Sequence, residues 1–272
     1  MRQLSLSDCL SLSIQCAEEA GNLILKANDQ AKIAQMKSSS SDFATATDKA
    51  CEELIVTKIK NSYPEHHIIG EESTALGTEI TLTDSPTWII DPIDGTTNFV
   101  HGFPFVAVCI GFSVKREIKV GVVYNPILKH LYFAKEGSGA YLNSTRLQAS
   151  SCTDLSRSLL VSEWSYDRRR DHLACAQANF TNFLMHPCHG IRSTGSSALD
   201  LCLVAEGSVD GSWIFGLNIW DYAAASIIVK EANGVVMDVT GGPVDFLAKR
   251  VVAAGTRELA LALCEKLVET PV

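Results

Sequence analysis

The sequence predicts an α+β fold, a layered αβαβα sandwich with an antiparallel sheet in its N-terminal half and an α/β C-terminal half. Three observations predict it: two segments of helical period open the chain, a block of short strand-like runs follows, and the remainder alternates between strands and helices. With 272 residues, 46% of them hydrophobic and 20% charged, the chain is long enough to bury a large core. It divides into residues 1–145, an α+β half, and residues 146–272, an α/β half.

Ser7 precedes a segment in which Leu10, Ile14, Ala17, Ile24 and Leu25 recur at helical spacing, and this predicts the first helix. Lys37 to Ser41 reads as a polar loop. Ala50, Leu54, Ile55 and Ile59 then repeat the helical period over 46–59, until Tyr63-Pro64 ends it because the residue before a proline leaves the helical region. Strands are predicted at His67 to Gly70, Trp88 to Asp91, Phe105 to Val114, Ile118 to Tyr124 and Leu131 to Ala134, punctuated by turn residues such as Asn125-Pro126. The second half gives a strand near Leu159 to Ser162, helices near Arg168 to Phe183 and Ser197 to Ala205, and a strand near Val209 to Phe215. A helix from Asp221 to Glu231, strands at Val235 to Val239 and Val251 to Ala254, and a helix from Arg257 to Val268 close the chain. No fixed-period repeat is present, which excludes solenoids and propellers.

A formal net charge of −8 argues against nucleic acid and anionic membrane surfaces as partners, so an anionic substrate needs local cations, with a bound metal as their source. The N-terminus has one Arg, frequent Ser and an early acidic pair, unlike a secretory signal, and the expected location is the cytoplasm. The longest apolar run, Phe105 to Val114, is far shorter than the ~20 residues that span a bilayer. Nine Cys without a C-x-x-C pair predict small buried apolar residues, neither a disulfide framework nor a zinc site.

The chemistry is concentrated in Trp88 to Phe99. An apolar strand delivers Asp91 to its end, and Pro92 and Gly95 bend the chain so that Asp94 returns to the same point. Two carboxylates and the Ile93 carbonyl form a hard oxygen site suited to magnesium, with Asp91 shareable between two ions. The ordinary alternative is a turn, since Asp-Pro and Asp-Gly are turn formers. Ile69-Gly70-Glu71-Glu72 again places acidic residues where a strand runs out, and Asp221 opens an apolar helix as a metal ligand or an N-cap, roles that do not exclude one another. Gly190 to Ser197, containing Gly195 and Ser196, runs from a strand into a helix and leaves backbone N–H groups and hydroxyls free for an anion or a polar substrate group, unless the loop merely caps the helix.

With these residues in view, the sequence resembles the inositol monophosphatase family. The motifs are IIGEES at 68–73, WIIDPIDGTTNFVHGFPF at 88–105, GIRSTGSSALDLCLVAEGSVDG at 190–211 and WDYAAASIIVKEANGVVMDVTGGP at 220–243. The resemblance implies hydrolysis of inositol monophosphate, a small phosphorylated polyol, by a metal-activated water. It implies Glu71, Asp91 and the Ile93 carbonyl around one magnesium, Asp91, Asp94 and Asp221 around a second, and a third, weaker ion near Glu71. It further implies Glu71, Thr96 and Asp48 as catalytic residues, with Thr96, oriented by Asp48, helping to activate a metal-bound water; Glu71, Ile93, Asp94, Gly95, Thr96, Gly195, Ser196, Ser197, Ile214 and Asp221 beside the substrate; Lys37 in a loop near the site; inhibition by lithium and calcium; and a homodimer. One position departs from the pattern: inositol-specific members carry a Glu seven residues before the last aspartate, where this chain has Ile214. A ring hydroxyl packed against Ile loses a hydrogen-bond partner, which weakens discrimination by about 1–3 kcal/mol. A broader sugar-phosphate or nucleotide phosphatase of the same superfamily is therefore the alternative. An aspartyl-phosphate enzyme is disfavoured because Asp91 and Asp94 are three residues apart, out of phase on a strand for a nucleophile and its acid/base partner.

Overall fold

Apolar residues at helical spacing produce the first layer. The computed structural model describes residues 5–34, 40–74, 80–164, 169–185 and 188–269; Lys37 lies outside them. Helix α1 (Leu6–Ala34) buries Cys9, Cys16, Ala17, Ala20 and Ile24, and α2 (Ser40–Ser62) buries Cys51, Ile55 and Ile59 against it. The start of α1 precedes Ser7, with the Asp8 N–H donating to Ser5 Oγ at 3.3 Å.

A seven-stranded sheet follows, in sequential order: β1 (His67–Gly70), β2 (Thr87–Asp94), β3 (Ala107–Val114), β4 (Glu117–Asn125), β5 (His130–Lys135), β6 (Ala140–Leu142) and β7 (Thr145–Arg146). Two short helices are set among these strands, α3 (Glu71–Thr74) after β1 and α4 (Thr96–His101) after β2. The sheet is antiparallel as expected except that β1 pairs with β2 in parallel. Period-two alternation sorts its side chains: Trp88, Ile90, Val108, Ile110 and Phe112 pack toward α1 and α2, whereas Ile89, Ala107 and Cys109 face the opposite way, into the core shared with the C-terminal half.

The C-terminal half supplies η1 (Leu155–Arg157), β8 (Leu159–Ser162), α5 (Arg170–Met185), β9 (Gly190–Arg192), α6 (Ser197–Glu206), β10 (Gly211–Phe215), α7 (Ile219–Glu231), β11 (Val235–Met237), β12 (Arg250–Ala254) and α8 (Arg257–Cys264). Its sheet has the order β11-β12-β10-β8-β9, parallel at β8 and antiparallel at β12. Helices α6 and α7 touch both sheets, and α8 covers the far face of the second. The layers are therefore α1/α2, first sheet, α6/α7, second sheet, α5/α8. One buried cluster runs from Ile89 and Tyr132 through α6 and α7 to Ile214 and Ala253, so the expected division at 145/146, which falls inside β7, crosses no gap in the core. All nine Cys are free and six are buried, as the spacing predicted. Among the described residues no helix is long and apolar enough to cross a membrane.

The approach of α7 depends on two glycines. A Cβ at Gly121 would lie 2.1 Å from the Ala224 carbonyl oxygen, and one at Gly111 3.4 Å from the Ala224 nitrogen. Any side chain at Gly121 would push α7 off the sheet, and α7 carries Asp221 in its first turn.

Candidate active site

The strand that carries Asp91 does not end there. It continues to Asp94, but the register shifts: Asp91 lies opposite Cys109 and Asp94 opposite Ala107, three steps on β2 against two on β3. That extra residue is a β-bulge. It cancels the odd spacing that would otherwise place the two aspartates on opposite faces, and both now face the layer containing α7. Gly95 follows at φ 84, where a Cβ would meet the Phe105 carbonyl oxygen at 2.6 Å, so the turn into α4 requires glycine. The Ile93 N–H donates to Asp91 Oδ1 at 2.9 Å.

Glu71 begins α3 where β1 ends, and the amides of Glu72 and Ser73 donate to Glu52 of α2 at 2.9 Å each. Asp221 arrives from the far side. Its helix starts two residues earlier than expected, with Asn218 at the N-cap and Asp221 at the third helical position. The Asp221 carboxylate accepts the Asn218 N–H at 2.6 Å. It thus caps from within the first turn and is not itself the N-cap.

Glu71, Asp91, Asp94 and Asp221, from three separate segments (α3, β2 and α7), line one cavity of about 350 Å³ together with Ile93, Gly95, Thr96, Ser197 and Ile214. Asp91 is 2% and Asp94 8% exposed. Burial, then the charges of Glu71, Asp94 and Asp221, drives the Asp91 carboxyl well above the usual range, and burial raises the Glu71 carboxyl too. Burial pushes Asp94 up to about 7 despite donors from Ser196 and Ala198; burial and then Asp94 raise Asp221 well above its usual range. Asp48, 4% exposed, is pushed up to about 8 by burial and by Glu71 and Glu72.

Among the described residues no three acidic, His or Cys side chains close on one point as a ready-made ion cage. The donor chemistry nevertheless fits a hard divalent cation: four carboxylates and a carbonyl, all oxygen, with mutual repulsion that such an ion relieves.

Three expectations are corrected. The Thr96 hydroxyl donates to the Ile93 carbonyl at 3.0 Å and not to Asp48, which is absent from the cavity wall. The amides and hydroxyls before α6 are not free: Thr194 and Gly195 N–H both donate to Glu163 Oε1 at 2.7 Å, and Ser196 Oγ and Ala198 N–H donate to Asp94 Oδ2 at 2.5 and 2.8 Å. Ser196, with no exposed surface, holds Asp94 and does not face a substrate; of that loop Ser197 reaches the wall. Sequence reasoning also missed Glu163 and Trp164, both on the wall. The signal was present, for Glu163 follows an apolar strand just as Glu71 does. A neighbouring cavity of about 380 Å³ shares Glu163, Phe215 and Gly216 with the first and is lined beyond them by Phe180 and Trp213.

A five-layer α/β sandwich with clustered acidic side chains at the layer junction describes a class of phosphoester hydrolases using divalent ions. Comparison with known proteins makes this specific: the Inositol monophosphatase family matches residues 5–271, and the chain belongs to that family. It is 45% identical to inositol monophosphatase 1 of Homo sapiens over 264 residues, 97% of this chain and 95% of that protein. It is likewise 45% identical to inositol monophosphatase 2 of Rattus norvegicus over 260 residues, 96% and 90% of the two chains. Among solved structures, inositol monophosphatase from Anabaena (Nostoc) sp. PCC 7120 superposes with a TM-score of 0.84 at 32% identity, covering 98% of this chain and 97% of that one. Inositol monophosphate-bound SaIMPase-II gives 0.78 at 26% identity, covering 94% and 92%.

Proposed function

We propose that this chain is a magnesium-dependent phosphatase that hydrolyses inositol monophosphate to inositol and inorganic phosphate. The observation that carries the reading is the convergence of Glu71, Asp91, Asp94 and Asp221 on one cavity, and the inositol monophosphatases similar to it along nearly the whole chain support it. Glu71, Asp91 and the Ile93 carbonyl would hold one ion, Asp91, Asp94 and Asp221 a second, and a weaker third would bind near Glu71. When bound, magnesium lowers the pKa of water and offsets the charge that develops on the phosphate and the leaving oxygen. Gly95, on the cavity wall, offers its backbone to the phosphate. The Thr96 hydroxyl, on the same wall, orients the attacking water. Water oxygen bonds to phosphorus, the ester P–O bond breaks, and the departing alkoxide takes up a proton. The same reading includes lithium inhibition, a homodimer and a cytoplasmic location.

Ile214 favours a second reading, a phosphatase of broader sugar-phosphate or nucleotide range, because the wall beside the leaving group offers no acceptor at that position. Phosphate release from inositol 1-phosphate, galactose 1-phosphate and a bisphosphorylated nucleotide, with and without magnesium, separates the two. The first reading expects magnesium-dependent turnover of inositol 1-phosphate. Fast release from the others beside none from inositol 1-phosphate supports the second, and no turnover of any of them refutes both.

A further inference from the structure

The segment 193–198, which runs from the end of β9 into the first turn of α6, ends on Asp94. Ser196 Oγ and Ala198 N–H donate to the same oxygen, Oδ2, which fixes the orientation of the carboxylate. Glu163, at the end of β8, grips the other end of the segment. Its Oε1 accepts the consecutive N–H groups of Thr194 and Gly195, and its Oε2 accepts the Ser193 hydroxyl at 3.0 Å. Consecutive backbone donors of this kind form a concave anion site, which the protein fills here with its own carboxylate. Two further bonds close the clamp: Asn98 Nδ2 donates to the Thr194 carbonyl at 2.8 Å, and Thr194 Oγ1 donates to the buried Asp200 at 2.6 Å. The fit is tight, since Gly195 has φ +80 and a Cβ there would lie 2.7 Å from the Asn98 amide. Glu163 therefore sits on the cavity wall while bonded to the segment that aims Asp94.

We infer that Glu163 is a positioning residue: by seating residues 193–195 it sets Ser196 and Ala198, and through them the direction in which Asp94 offers its other oxygen to a divalent cation. This rests on the reading of the cavity as a magnesium site. A Gln at 163 preserves the geometry, its amide oxygen accepting the two backbone N–H groups and its NH₂ donating to Ser193 Oγ. An Ala cannot do so, and it leaves two amides without their acceptor.

Calorimetric titration of magnesium into the full chain and its E163A, E163Q and S196A variants tests this, with melting temperatures recorded alongside. Loss of an oriented second contact costs on the order of 10-fold in metal affinity. E163A and S196A are expected to bind magnesium about that much more weakly, with E163Q restored to the affinity of the unaltered chain. Unchanged binding in E163A overturns the inference, as does E163Q binding as weakly as E163A, which would make charge and not placement the cause. Should E163A fail to fold, S196A decides, and unchanged magnesium binding there overturns it. Failure of the unaltered chain to bind magnesium overturns the metal reading itself, a result separate from any difference among the variants.

Discussion

At Ile214 the cavity wall is apolar and 2% exposed, on a strand whose neighbours Trp213 and Phe215 also present hydrocarbon. A leaving-group hydroxyl placed there loses its acceptor, and the cost of about 1–3 kcal/mol corresponds to ~5- to 150-fold. Ile214→Glu is therefore expected to raise the ratio of kcat/KM for inositol 1-phosphate over phenyl phosphate by about that factor. A ratio that stays flat would show that residue 214 does not read the leaving group. The departure at Ile214 was legible in the sequence, as were Glu71, Asp91, Asp94 and Asp221, because each acidic residue stands at a boundary between an apolar run and a turn or helix. Glu163 stands at such a boundary too, but its partners Thr194 and Gly195 are 31 and 32 residues away. Nothing local records that pairing, and for the same reason the amides before α6 read as free.

Among the elements, α7 determines whether the fourth carboxylate arrives. It lies against β3 and β4 over Gly111 and Gly121, and it presents Asp221 from its first turn. Overpacking of a tight interface costs typically ~1–3 kcal/mol, and more where backbone is struck. Gly121→Ala places a methyl 2.1 Å from the Ala224 carbonyl oxygen, so urea unfolding is expected to show a loss at or above that range, with weakened magnesium binding as α7 shifts. Wild-type stability would mean that the helix accommodates the methyl without moving. The helices and long strands were readable from period alone. The parallel pairing of β1 with β2 was not, since it depends on the long connection between them. The bulge between Asp91 and Asp94 was also hidden: Pro92 and Gly95 announced a bend, but only the register against β3 shows that the strand persists through it. Strands β6 and β7, three and two residues long, are too short to carry a period.

For the whole molecule, the buried carboxylates couple stability to pH and to metal. Asp94 and Asp48, raised to about 7 and about 8, hold protons in the folded chain that the unfolded chain releases near its ordinary carboxylate range. The folded state then binds more protons than the unfolded one, so their contribution is fully present below about pH 4 and is lost as pH rises through about 7 and 8. Melting of metal-free protein is expected to show that downward trend over this window, and saturating magnesium, which binds the deprotonated forms, is expected to offset it. A metal-free melting temperature that climbs across the window would contradict the burial of these charges. The proposed function turns on carboxylates from three separate segments, α3, β2 and α7, binding divalent ions in one cavity. Anomalous scattering from crystals soaked in manganese, standing in for magnesium, tests it most directly. The account predicts peaks bridged by Asp91 and in contact with Glu71, Asp94 and Asp221; manganese elsewhere, with that cavity empty, would contradict it.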